Sequence, residues 1–278
     1  MHSIYEPPSN ISLSLTTTYP FYIRPTFATV KPIIQIMDKK TIVVVGAGQG
    51  LGNHVAERFG KEGFRVVLMA RGEQSLKAYA QEFAAKGIEA HTYAVDAARP
   101  ETLTAALGQA KQQFGTPDVL IYNVGITAAD DPAAMNSAEL MRHYQIDVAS
   151  AYDCVRQVAT EEFAKKNGTV ILTGGGLATH PTAGFIPLSL DKAALRTLAY
   201  ILYDELKPQG IFVGTVTVCG SIGIDTYFAP AQIAETYWQM YKECGACEVR
   251  YEYPELKECE LPAGEYWKKI YELSEKYK

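Results

Sequence analysis

No run of eighteen apolar residues occurs in the 278-residue chain, so no membrane span is read in it. A basic block is missing as well: 26 Lys and Arg face 31 Asp and Glu, a net charge of −5, which offers no phosphate footprint and argues against nucleic acid as a partner. Cysteine is scarce and odd in number. Cys154, Cys219, Cys244, Cys247 and Cys259 are scattered through the chain, which favours reduced thiols and a cytoplasmic location over a disulfide framework. Disorder is excluded for the bulk of the chain, because 47% hydrophobic and 11% aromatic residues supply a large core. The length is long for one domain and short for two, so one α/β domain with additions is the expectation.

The first 36 residues differ in kind, with Pro7, Pro8, Pro20, Pro25 and Pro32 interrupting a Ser/Thr-rich stretch that has no sustained apolar period. Residues 1–38 therefore read as a poorly ordered extension. One acid (Glu6) with Arg24 and Lys31 faintly suggests an organelle transit sequence, but the Arg-rich amphipathic pattern is missing; Met37 leaves a second start open. From Thr41 onward, short β-branched runs alternate with helical stretches, the pattern of a parallel sheet buried on both faces. Strands are predicted at 41–45, 65–69, 90–94, 119–122, 169–173 and 212–218, and helices at 51–62, 73–86, 100–114, 135–164, 187–206 and 230–243. These make a doubly wound α/β domain over 39–245 with helices on both faces. The tail, 246–278, adds an alternating edge strand at 248–253 and a helix at 263–276 that packs on or extends the domain.

Val43-Val44-Val45 runs straight into Gly46-Ala47-Gly48-Gln49-Gly50-Leu51-Gly52 and then into a helix. Glycines there allow a tight turn, a close backbone approach to a pyrophosphate and close helix packing, while the helix amino terminus faces the anion. The bland alternative is a strand-to-helix turn and nothing more. The spacing G-x-x-x-G-x-G resembles that of the short-chain dehydrogenases/reductases, and the likeness extends over roughly residues 40 to 245. Asp96 resembles the family's adenine-contacting aspartate, Asn123-Val124-Gly125 its Asn-Asn-Ala-Gly stretch with Tyr122 leading, and Lys192 its catalytic lysine. Gly220 matches the glycine of its Pro-Gly turn, with Cys219 in place of proline and Ile222 following. The resemblance implies a Rossmann-type fold and a nicotinamide coenzyme held by Gly46, Gly48, Gln49, Gly50, Leu51, Gly52, Arg71, Asp96, Asn123, Gly125, Lys192, Gly220 and Ile222.

A carboxylate closing the second strand would select NAD; here Ala70 stands in that place and Arg71 follows. A guanidinium pairs with a 2′-phosphate, so NADP(H) is preferred over NAD(H), unless Arg71 is merely a solvated residue opening the next helix.

The family's chemistry, as the resemblance implies it, uses a Tyr four residues before the Lys, a Ser at the end of the fifth strand and an Asn one helix earlier. This chain has Leu188, Gly174 and Asp147 in those places and keeps only Lys192. A positioned general acid contributes about 10²–10⁴-fold, which an aliphatic side chain cannot replace. Lys192 and, as substitute proton donors, His180 and Tyr122 are the catalytic candidates, with Tyr227 behind them; surface or packing roles compete for each. Asp147 is expected to orient Lys192 as a salt-bridge partner. The apolar face of helix 187–206 implies, by analogy with the family, a homodimer or homotetramer.

The function expected is an NADP(H)-binding oxidoreductase that transfers hydride to or from a small organic substrate with a non-standard active site. The alternative is a catalytically impaired NADP(H) sensor. A thiol or metal function for Cys244, Cys247 and Cys259 is the weakest reading, since zinc wants four ligands and no histidine follows; no metal site is assigned.

Overall fold

A strand buried on both faces needs apolar cover above and below, and the β-branched runs here receive it. The computed structural model describes residues 39–257 and 259–278; the extension read at 1–38 lies outside them. Seven strands, β1 (Thr41–Val45), β2 (Arg65–Ala70), β3 (Ala90–Ala94), β4 (Val119–Tyr122), β5 (Thr169–Gly175), β6 (Phe212–Val218) and β7 (Glu248–Tyr251), form one sheet in the order β3-β2-β1-β4-β5-β6-β7. Every neighbouring pair is parallel. The chain turns one way from β1 to β2 and the other from β1 to β4, so the carboxyl ends of β1 and β4 open the crevice in which doubly wound sheets bind ligands.

Alternate residues of each strand feed two separate cores. Ile42, Val44, Val66, Leu68, Val119 and Ile121 pack under α1 (Leu51–Lys61), α2 (Glu73–Ala85), α8 (Pro230–Glu243) and α9 (Ala263–Lys276). Val43, Val45, Val67, Leu120, Val170 and Leu172 pack on the other face under α3 (Pro100–Phe114), α5 (Ser150–Val158) and α7 (Ile186–Leu206). Each such side chain contributes about 1.5–3 kcal/mol when fully buried. Two layers of helix over one sheet follow from that alternation, the Rossmann-like arrangement expected.

The tail strand is real but ends at Tyr251, two residues early, and pairs in parallel with β6 at the sheet edge. The largest departure is the stretch 135–164, expected as one helix. It forms α4 (Ser137–Tyr144), a π-helical turn (Gln145–Ala149), α5, and after a break α6 (Glu161–Lys165). The break has a local cause: Thr160 leaves the helical region and its side chain accepts from Phe163 N at 3.3 Å, capping a new helix. Within the π-turn the Ile146 carbonyl accepts a hydrogen bond from the Tyr122 hydroxyl, and Asp147 is swung into the interior.

Candidate active site

The loop after β1 is built around two glycines that admit no side chain. Gly46 has φ +91°, and a Cβ there would lie 2.7 Å from the Asn123 carbonyl carbon; one on Gly52 would lie 2.4 Å from the Gly46 oxygen. Gly48 and Gly50 are the reverse, since a Cβ on either meets nothing within 4 Å. Their backbone thus faces open space beside the α1 amino terminus, which has no capping side chain and no acid in its first turn. A bound anion fits that cradle, because the free N–H groups and the helix dipole are left for it. Asn53 adds a buried Oδ1 without a hydrogen-bond partner. Gln49 is exposed, whereas Leu51 is buried in the core, so only its backbone reaches the loop surface.

Arg71 is exposed at the end of β2 and nothing pairs with it among the described residues. Asp96, after β3, is partly committed: Oδ1 accepts from Ala98 N at 3.0 Å and Oδ2 lies 3.5 Å from Arg99 Nε. Asn123 ties three strand ends together. Its Nδ2 donates to Gly46 O and its Oδ1 accepts from the Thr173 hydroxyl, both at 3.0 Å. At the end of β6, Gly220 is glycine because the Phe228 ring fills its side-chain space, and Ile222 is exposed beyond it.

Lys192 projects from α7 into a buried polar cluster. Its Nζ donates to Thr173 O at 2.7 Å, and burial lowers its pKa against the pull of Asp147 and Asp191. The salt bridge expected with Asp147 is not formed among the described residues. Both Asp147 oxygens instead face Ile126 N at 3.2 Å, and Asp147 Oδ2 and Lys192 Nζ flank Gly125, 3.6 and 3.5 Å from where its Cβ would be. Burial raises the Asp147 pKa. Asp191, missed in the sequence, is 2% exposed with Oδ2 unpartnered, and burial together with the like charge of Asp147 pushes it up to about 7. The signal was present: an acid beside Lys192, three residues after the apolar Leu188 and on the same helix face.

The glycine that faces Lys192 is Gly175 rather than Gly174. A Cβ at 175 would stand 3.3 Å from Lys192 Cγ, whereas at 174 it would strike Thr215 Oγ1 at 2.7 Å and Thr217 Cα at 3.1 Å. Four residues before Lys192, Leu188 is buried.

The alternative proton donors are not brought to Lys192. Tyr122 is fully buried, its hydroxyl donates to Ile146 O, and burial raises its pKa. The Tyr227 hydroxyl donates to Glu252 O at 2.7 Å within an aromatic cluster. His180 joins the tail instead: its ring stacks on Tyr266 with centroids 3.7 Å apart, its Nδ1 meets the Thr179 hydroxyl at 3.0 Å, and its carbonyl accepts from Trp267 Nε1. Burial, then Arg250, lowers its pKa. Thr179, His180 and Tyr266 line a cleft of about 550 Å³ with the Arg250–Glu252 ion pair. The cysteines gather no metal set among the described residues; burial raises the thiol pKa of Cys244, and that of Cys247 to about 11.

Comparison with known proteins agrees with this fold. The family model described as short chain dehydrogenase matches residues 40–229. An uncharacterised oxidoreductase of Mycobacterium tuberculosis (strain CDC 1551 / Oshkosh) is 31% identical over 174 residues, 62% of this chain and 66% of that protein, a little under two thirds of its length. Among solved structures, an actinorhodin polyketide ketoreductase variant with NADPH superposes with a TM-score of 0.71 at 20% identity, over 77% of this chain and 95% of that one. A metagenomic short-chain oxidoreductase in complex with NADP gives 0.66 at 25% identity, over 76% and 96%.

Proposed function

This chain belongs to the short-chain dehydrogenase family, and from that premise we propose that it is an NADP(H)-binding oxidoreductase with a non-standard active site, acting on a small organic substrate. The coenzyme, when bound, supplies or accepts hydride. The pyrophosphate would rest on the Gly48–Gly50 backbone and the α1 amino terminus, Arg71 would face the 2′-phosphate, and Lys192 would hold the nicotinamide ribose. The observation that carries the coenzyme choice is the guanidinium of Arg71, unpaired among the described residues, directly after Ala70, which stands where an acid would select NAD. Titrating R71A with both reduced coenzymes tests it. Loss of one charged contact should weaken NADPH about 10- to 100-fold and NADH little, whereas equal losses would remove the assignment.

The non-standard site rests on Leu188 in the place of the family's tyrosine and on glycine in the place of its serine, read at Gly174, with Gly175 the glycine that approaches Lys192. A second reading, a sensor that binds NADP(H) and has lost turnover, is favoured by the absence, among the described residues, of a tyrosine or histidine hydrogen-bonded to Lys192, Asp147 or Asp191; Tyr237 reaches only the Thr173 hydroxyl, at 2.8 Å. Incubating the protein with NADPH and a panel of small carbonyl compounds separates the two. Oxidation of NADPH with any of them supports the enzyme, and tight binding with none supports the sensor. The reduced thiols fit a cytoplasmic location, residues 39–245 form the coenzyme domain in this reading, and 246–278 complete its edge.

A further inference from the structure

We infer that Asp191 sets the charge at the nicotinamide end of the cleft and so discriminates between oxidised and reduced coenzyme, an inference that rests on the NADP(H) reading above. The geometry supplies the reason. Lys192 and Asp147, a base and an acid, flank Gly125, while Asp191, on the same helix face as Leu188, is buried with an oxygen that no donor satisfies among the described residues. An unsatisfied carboxylate oxygen sealed from water is costly, so the group is held there against its own solvation. Its ionisation adds one negative charge to the cluster. Oxidised nicotinamide is a cation and reduced nicotinamide is neutral, so only the oxidised coenzyme gains from the negative state.

The other charged groups around Asp191 are few among the described residues. Asp147, on the π-turn, raises its pKa and Lys192 lowers it; His143 of α4 acts on Asp147 from behind and lies 3.5 Å from Glu139. β5 and β6, packed on the same helix, contribute no titratable side chain. With Asp191 brought to about 7 by burial and Asp147, its charge changes within the physiological range. The sign follows from linkage: a cationic ring lowers the carboxyl pKa, so oxidised coenzyme binds more tightly relative to reduced coenzyme as pH rises through that value. Asp191 acts here through charge and touches no reacting atom.

The test measures dissociation constants of NADP⁺ and NADPH by calorimetry at about pH 6 and about pH 8, where a 2′-phosphate titrates equally in both coenzymes and cancels in their ratio. In the unaltered protein the preference for NADP⁺ should grow about tenfold between the two pH values. In D191N it should stay flat, and in H143Q the step should persist. A step that survives in D191N, or vanishes in H143Q, overturns the inference. Should D191N fail to fold, proton release by the unaltered protein at about pH 7, read in two buffers of different ionisation heat, decides instead. More protons released with NADP⁺ than with NADPH supports the inference, and equal release overturns it. Binding of both coenzymes without a pH step sinks this inference alone, while no binding of either removes the coenzyme reading with it.

Discussion

Two adjacent glycines at the end of β5 have opposite reasons to be glycine. Gly174 points its missing side chain at Thr215 and the Thr217 backbone, and Gly175 points toward the flexible stem of Lys192. Serine at 174 must push a strand apart, which costs about 1–3 kcal/mol, while serine at 175 asks only a lysine methylene to shift. Urea unfolding of G174S and G175S should show that loss for the first and under about 1 kcal/mol for the second. Equal losses would mean that neither glycine faces Lys192 as described. The single-residue shift between the predicted serine place and the one facing Lys192 was not legible in the sequence, because strand periodicity fixes which residues alternate but not which face meets the next helix. Asp191 was legible as an acid beside Lys192 on its helix, but its partner was not. Its pKa is raised by burial and by the charge of Asp147, which lies forty-four residues earlier on the π-turn that follows α4.

Elements were read well where one period ran uninterrupted and poorly where two local signals competed. α3 and α8 begin at Pro100 and Pro230 and match their predicted ranges, since proline is preorganised for the first helical turn. In 135–164 the apolar period continued through a threonine cap, and the cap prevailed locally. The tail strand was legible as an edge, but its anchoring was not. Glu248 on β7 is gripped by Arg196 of α7 through Nε and Nη2, by the Thr217 hydroxyl of β6 at 2.6 Å, and by the Tyr200 hydroxyl at 3.0 Å. Burial alone would raise its pKa, yet these hydrogen bonds outweigh it and the net shift is downward. A carboxyl lowered on folding stabilises the protein above its ordinary value of 4.5, and that contribution is lost as pH falls through the depressed value. E248A leaves Arg196, itself 37% exposed, without its partner and should cost about 1–3 kcal/mol, while also flattening the acid limb of a stability-versus-pH curve. An unchanged acid limb would show that the clamp does not hold the edge strand.

For the molecule as a whole, both faces of the sheet are covered, yet one helical surface stays apolar and open. Tyr144, Tyr152 and Ile201, the last 57% exposed, border a surface depression of about 580 Å³ between α5 and α7, with Leu190 further along α7. A contiguous apolar patch of this kind calls for a partner surface, and α7 is the helix whose face carried the expectation of a homodimer or homotetramer. A two-fold pairing would bury the patch against its own copy, and the same depression would then be filled by side chains from both sides. I201E puts a carboxylate into that contact with no cation to meet it. If the face joins two copies, sedimentation at micromolar concentration should show I201E falling to monomer mass while the unaltered protein remains larger. Thermal unfolding of the isolated monomer should change little, because an exposed substitution usually alters stability by within about 0.5 kcal/mol. A single monomer mass for both proteins would leave the α5–α7 face without a self-association role, and with it the family analogy that α7 joins subunits.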